Sequence, residues 1–100
     1  MAVRYFDGND QAYLLWLSGH PSGFVVNSRR ILDLDYLVLH RATCGHVNVY
    51  LGMKKSPGGF TERSYVKYCG DSISELLTHL GALIGSSRPF SKACSACKPK

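Results

Sequence analysis

The sequence predicts an α+β fold: a mostly antiparallel sheet of four to five strands with two helices packed on one of its faces, and an irregular, cysteine-containing C-terminal tail. Three observations lead there. Several short segments carry β-branched and aromatic residues with the two-residue alternation of strands. Two longer segments place apolar residues at helical spacing between recognisable caps. The order of strand, helix, several strands and helix, with short connections, lacks the strict β and α alternation of a doubly wound parallel sheet.

The elements follow in order. Val3 to Phe6 makes a short first strand, ended by the turn pair Asp7-Gly8. Asn9 or Asp10 caps a helix in which Ala12, Leu15 and Trp16 share a face, and Gly19-His20-Pro21 stops it. Tyr13, Leu14 and Leu17 widen its apolar surface beyond one stripe, which implies contact on two sides. The segment GFVVN, Gly23 to Asn27, is a β-branched strand after the turn at Pro21-Ser22.

Tyr36 to Arg41 is the next strand, with Leu37, Leu39 and Arg41 on one side and Val38 and His40 on the other. Val47 to Met53 is expected to pair with it across the bend from Thr43 to His46, and Ser56 to Gly59 forms a loop. Ser64 to Cys69 is a further strand, with Tyr65, Lys67 and Cys69 facing away from Val66 and Tyr68. The clearest helix starts at Ser72. Ser72 and Glu75 have the spacing of a capping box, Ile73, Leu76, Leu77, Leu80, Leu83 and Ile84 form the core-facing stripe, and Gly85 is the C-cap. From Arg88 the chain reads as irregular and basic.

One hundred residues, 45% of them hydrophobic and 19% charged, suit one globular domain over residues 1–100 and exclude a disordered chain. The N-terminal residues lack the pattern of a signal peptide, and no apolar run approaches the ~18 residues that span a bilayer. A reducing cytoplasm is therefore the expected setting, with no membrane partner. The formal net charge of +5 is concentrated at Arg29-Arg30, Lys54-Lys55 and Lys98-Pro99-Lys100, a balance that suits an anionic partner and, before others, nucleic acid.

The four cysteines point to metal ligation or unligated thiols before structural disulfides. Cys94-Ser95-Ala96-Cys97 has the C-x-x-C spacing at which two thiolates share one tetrahedral zinc. Completing a structural zinc site takes Cys44 and Cys69, or a nearby histidine such as His46. The other reading of Cys44 and Cys69 is that of small buried residues.

Catalytic signals are sparse. Asp33, Asp35 and Glu62 do not form the carboxylate cluster that a hard cation needs, and no phosphate-cradling loop or dinucleotide fingerprint is present. Cys44 with His40 or His46 has the residue types of a thiolate nucleophile and its base. Four residues of straight strand would nevertheless hold His40 far from Cys44, and no orienting acid is evident.

Binding fits better. Asn27, Arg29, Arg30, His40, Arg41, Lys54, Lys55 and Lys67 are the candidate nucleic-acid contacts. The cations would meet phosphates, and Asn27 and His40 would supply specificity. The tyrosines and Trp16 offer stacking surfaces where exposed and core packing where not. Because His40 and Arg41 are neighbours on one strand, alternation sets them on opposite sides, so both cannot belong to one patch.

Trp16, HPSGFVVN (His20 to Asn27), LHRATC (Leu39 to Cys44), KYC (Lys67 to Cys69), a helix and CSACKP (Cys94 to Pro99) together resemble a small domain of bacterial proteins, some of restriction or defence type. The resemblance spans nearly the whole chain and is a pattern of fold more than of chemistry. It implies a recognition module that accompanies effector domains and reads DNA, modified DNA included. The leading expectation is thus a noncatalytic module binding nucleic acid, double-stranded DNA before RNA. Two others stand beside it: a protein-interaction module docking through Trp16 and the first helix, and a small hydrolase or nuclease using His40, His46 and Cys44.

Overall fold

A computed structural model describes residues 3–31, 36–44, 61, 65–85 and 89–94. Its elements are β1 (Arg4–Phe6), α1 (Asp10–Gly19), β2 (Phe24–Arg29), β3 (Leu37–Arg41), β4 (Tyr65–Gly70), α2 (Ile73–Ile84) and β5 (Lys92–Ala93). The α+β class is as expected, and the strands form one five-stranded sheet in the order β1-β4-β2-β3-β5. The pairs β1/β4, β4/β2 and β2/β3 are antiparallel, whereas β3/β5 is parallel. The expected strand Val47 to Met53, together with His46, Lys54, Lys55 and Cys97, lies outside the described residues. Both sides of β3 are taken by β2 and β5.

The helix ends obey local chemistry. Asn9 caps α1 by accepting from the Ala12 amide at 3.0 Å. Ser72 Oγ caps α2 by accepting from Glu75 N at 3.1 Å, and Glu75 returns a bond, taken from Asp71 N at 3.0 Å. Gly85 ends α2 in the left-handed conformation, φ +70°.

The two helices do not share a face, contrary to the expectation above. Tyr13, Trp16 and Leu17 of α1 pack with Phe6, Val25, Val38 and Cys69. Leu76 and Leu80 of α2 pack with Val26, Leu37, Leu39, Val66 and Tyr68. Successive strand residues point to opposite sides, so these are the two faces of one sheet. The physical reason is that β2 and β3 are apolar on both faces, which a single helix layer would leave half exposed to water.

Trp16 is therefore a core residue. Its ring stacks on His20, centroids 4.2 Å apart, and lies over Gly23, where a Cβ would meet Trp16 Cη2 at 2.8 Å. Leu15, 72% exposed, is the large apolar residue that α1 leaves in solvent. The expected docking surface built on Trp16 is thus spent inside the protein. No helix among the described residues is long and apolar enough to cross a membrane.

Candidate metal centre and cationic surface

On the face covered by α1, cross-strand partners form rows. The register aligns Cys69 with Val25 and Val25 with His40. One step along, Phe6, Lys67, Asn27, Val38 and Lys92 are partners across all five strands. A further step brings Tyr65 opposite Arg29, with Tyr36 continuing the row. The first row leads to a group of side chains that could hold a metal ion, and the last is cationic and aromatic.

His40, Cys44 and Cys94 come together at the β3 end of the first row. All three are buried, and their donor atoms lie within 4.8 Å of one another. Each arrives for a local reason. On a straight strand Cys44 would lie about 13 Å from His40. The chain instead turns directly after β3, where Cys44 N bonds to Arg41 O at 3.0 Å and Ala42 N to Gly23 O at 2.9 Å. This bend returns the thiol to His40, a distance that sequence separation alone had seemed to forbid.

Cys94 arrives through β5. Parallel pairing sets Val38 beside Lys92 and Leu39 beside Ala93, so the next residue, Cys94, falls beside His40 on the same face. Its amide bonds to Leu39 O at 2.8 Å, and its Sγ lies 3.9 Å from Cys44 Sγ. At that spacing the sulfurs are two thiols and not a disulfide. The group could hold a metal ion.

Cys69 stands apart from this group. Val25 separates it from His40 in the row, which is about 10 Å across two strand spacings. It is fully buried, and burial pushes its thiol well above the usual range, against smaller opposing effects of Lys67 and Arg4. Tyr13 packs in the same core, and burial likewise raises its phenol, with Cys69, Asp10 and Cys44 adding to the shift. Burial thus favours the neutral form of both groups in the core.

The nucleophile reading of His40 and Cys44 is met by convergence but not by access. Each side chain is only 5% exposed, and the third member of the group is a second thiol where an orienting acid would be needed.

The candidate nucleic-acid contacts divide. His40 is buried in the first row, 5% exposed, apart from the Arg29 surface. Lys67 is 3% exposed, and its Nζ donates to Asn27 Oδ1 at 2.7 Å, 5.8 Å from the Tyr13 ring centre and 5.7 Å from that of Tyr65. The Asn27 amide nitrogen in turn donates to Tyr36 Oη at 3.2 Å. These two residues use their polar atoms inside the sheet surface. Arg30 pairs with Asp7 and donates to Thr61 O at 2.7 Å, tying the end of β2 to the turn before α1. Arg41 lies beside Phe24 on the α2 face, away from the others.

Arg29 remains at the surface on the α1 face. Its guanidinium carbon sits 4.7 Å from the Tyr36 ring centre and 5.8 Å from that of Tyr65. The rings, one on β4 and one just before β3, are 5.7 Å apart and tilted by 43°. A guanidinium packed beside two rings has less rotamer freedom left to lose on binding.

Sequence reasoning missed His40 as a member of the group that could hold a metal ion, and Tyr36 and Tyr65 as neighbours of Arg29. The signal for His40 was its parity with the other residues of one strand face, combined with the turn-forming residues before Cys44. For the tyrosines, only the register across β3, β2 and β4 reveals the arrangement. In comparisons with protein-family models, curated proteins and solved structures, the chain matches none.

Proposed function

We propose that this protein is a noncatalytic nucleic-acid-binding module, for double-stranded DNA before RNA, whose shape is stabilised by a structural zinc ion. The observation that carries the binding reading is Arg29, an exposed cation braced by Tyr36 and Tyr65 on the α1 face. A planar, preorganised guanidinium is suited to the paired oxygens of a phosphate. The net charge of +5 favours the same class of partner.

Zinc follows from the donors. Two thiols and an imidazole are soft to borderline ligands, which select zinc over calcium or magnesium, and zinc accepts the tetrahedral mixture of sulfur and nitrogen. The proposal extends to modified duplexes, as the resemblance to restriction and defence modules implies, and the same titration compares them.

Anisotropy titration of labelled duplex DNA, single-stranded DNA and RNA tests the binding reading. The expected result is an affinity that falls steeply with salt. Arg29→Ala should weaken binding and reduce the slope of log K against log salt by about one. Arg41→Ala, on the opposite face, should leave both nearly unchanged. Absence of binding to every nucleic acid tried, or an effect at Arg41 with none at Arg29, would remove the proposal.

A further inference from the structure

We infer that the zinc of the proposed function is bound by His40, Cys44 and Cys94, with Cys69 outside the set, and that it serves as a clasp holding the C-terminal edge strand against β3. The inference rests on the zinc reading and specifies its ligands and its task.

The ligands come from two parts of the chain that are far apart in sequence. His40 is on β3, Cys44 follows the turn after it, and Cys94 follows β5. β5 is two residues long and pairs on one side with β3. Beside that pairing, Ser91 N bonds to Leu37 O and Cys94 N to Leu39 O, each at 2.8 Å, the Ser91 hydroxyl meets the Leu37 backbone, and Phe90 and Ala93 pack on the core. So short an edge pairing gains few bonds for the chain it orders. A metal bridging Cys94 to His40 and Cys44 would fix that end directly, across a sequence separation of 50 between the two cysteines.

Cys69, by contrast, faces a position that a strand already fills. Val25 stands between it and His40, and the donor atoms that converge do not include its sulfur. Cys97, through its C-x-x-C spacing with Cys94, is the fourth donor offered by the sequence. It lies outside the described residues, and the inference does not depend on it.

Cobalt(II) titration of the reduced, chelator-treated full chain tests the ligand set, because thiolate coordination in a tetrahedral site gives a visible absorption band. One equivalent should bind. His40→Ala should weaken binding by more than ~100-fold, beyond the 10–100-fold that loss of an outer-shell partner costs, while Cys69→Ala should change it by less than about tenfold. His40→Cys retains a donor, so it should keep the tetrahedral band even where His40→Ala fails to fold.

Hydrogen exchange with and without zinc tests the clasp. Removing zinc should speed exchange at the Ser91 and Cys94 amides while those between β2 and β4 stay protected. If the wild-type chain binds no cobalt or zinc, the zinc reading itself falls. If metal binds but depends on Cys69 and not on His40, or if His40→Cys loses it, the ligand set is overturned and the zinc reading stands. Loss of protection throughout the sheet on chelation overturns the clasp.

Discussion

Cys69 and His40 carry the same donor types that the sequence offers, face the same side of the sheet, and have opposite fates. Parity was legible from the strand patterns alone: Lys67 and Cys69 share a face, as do Val38 and His40. The register that inserts Val25 between them was not, because a one-strand offset leaves no trace in local periodicity. The buried Cys69 thiol has a pH consequence. Its ordinary value is 9.0, and burial raises it in the folded chain. Below that value both states carry the proton, so the contribution to stability is fully present. Above it the unfolded chain ionises first and the contribution is lost, by up to about 1.4 kcal/mol per pH unit, until the folded value is passed. The urea midpoint should therefore fall from about pH 9 upward, and Cys69→Ala should flatten the early part of that fall; an unchanged slope in the variant would contradict the assignment. Gly23 supplies a steric prediction. A methyl there meets the buried Trp16 ring at 2.8 Å and the Gly70 carbonyl at 3.1 Å, so Gly23→Ala should cost about 1–3 kcal/mol in chemical denaturation.

Among the elements, the helices were the most legible and β5 the least. Asn9, Ser72, Glu75 and Gly85 act where the sequence placed them, because caps are satisfied by atoms within one turn. Leu83 departs from the expected α2 stripe and is exposed, since a twelve-residue helix laid on a sheet covers only part of its apolar arc. Lys92–Ala93 has no pattern of its own; it is a strand only because β3 offers an unpaired edge. The cap residues give a prediction confined to α2. Ser72→Ala removes the acceptor of the Glu75 amide and should cost about 1 kcal/mol. Gly85→Ala meets no atom within 4 Å, so its cost, also about 1 kcal/mol, comes from the left-handed backbone alone. The two sites lie at opposite ends of the helix and should add, lowering the thermal midpoint by roughly 4–8 °C for each 1 kcal/mol. A double variant no less stable than either single one would mean that α2 is not held as a unit.

For the whole molecule, class was legible and topology was not. The double-sided apolar character of Val25-Val26 and Val38-Leu39 was present in the sequence and called for cover on both faces, yet the expectation of one helical layer followed from element order instead. Strand order depends on long-range pairing: β4, from the second half of the chain, inserts between β1 and β2. The central β2/β4 pair therefore forms only after the ends of a long intervening segment meet, and that closure costs entropy before contacts repay it. Folding should accordingly be slow for a chain of this size, in the millisecond to second range. Val26, fully buried between Leu39 and Tyr68 on its neighbours, lies in the central pair, which is expected to form in the folding transition state. Val26→Ala should destabilise by about 2 kcal/mol. With most of that loss already felt in the transition state, refolding should slow roughly tenfold and unfolding accelerate only a little. Ser91→Ala removes a hydroxyl that bonds the Leu37 backbone at the β5 edge; if that edge docks after the central pair, the variant acts on the unfolding rate instead. Stopped-flow measurements of both variants decide the order of assembly. If Ser91→Ala slows refolding while Val26→Ala does not, the sheet assembles from its C-terminal edge inward, and the clasp at His40, Cys44 and Cys94 belongs to the start of folding and not to its end.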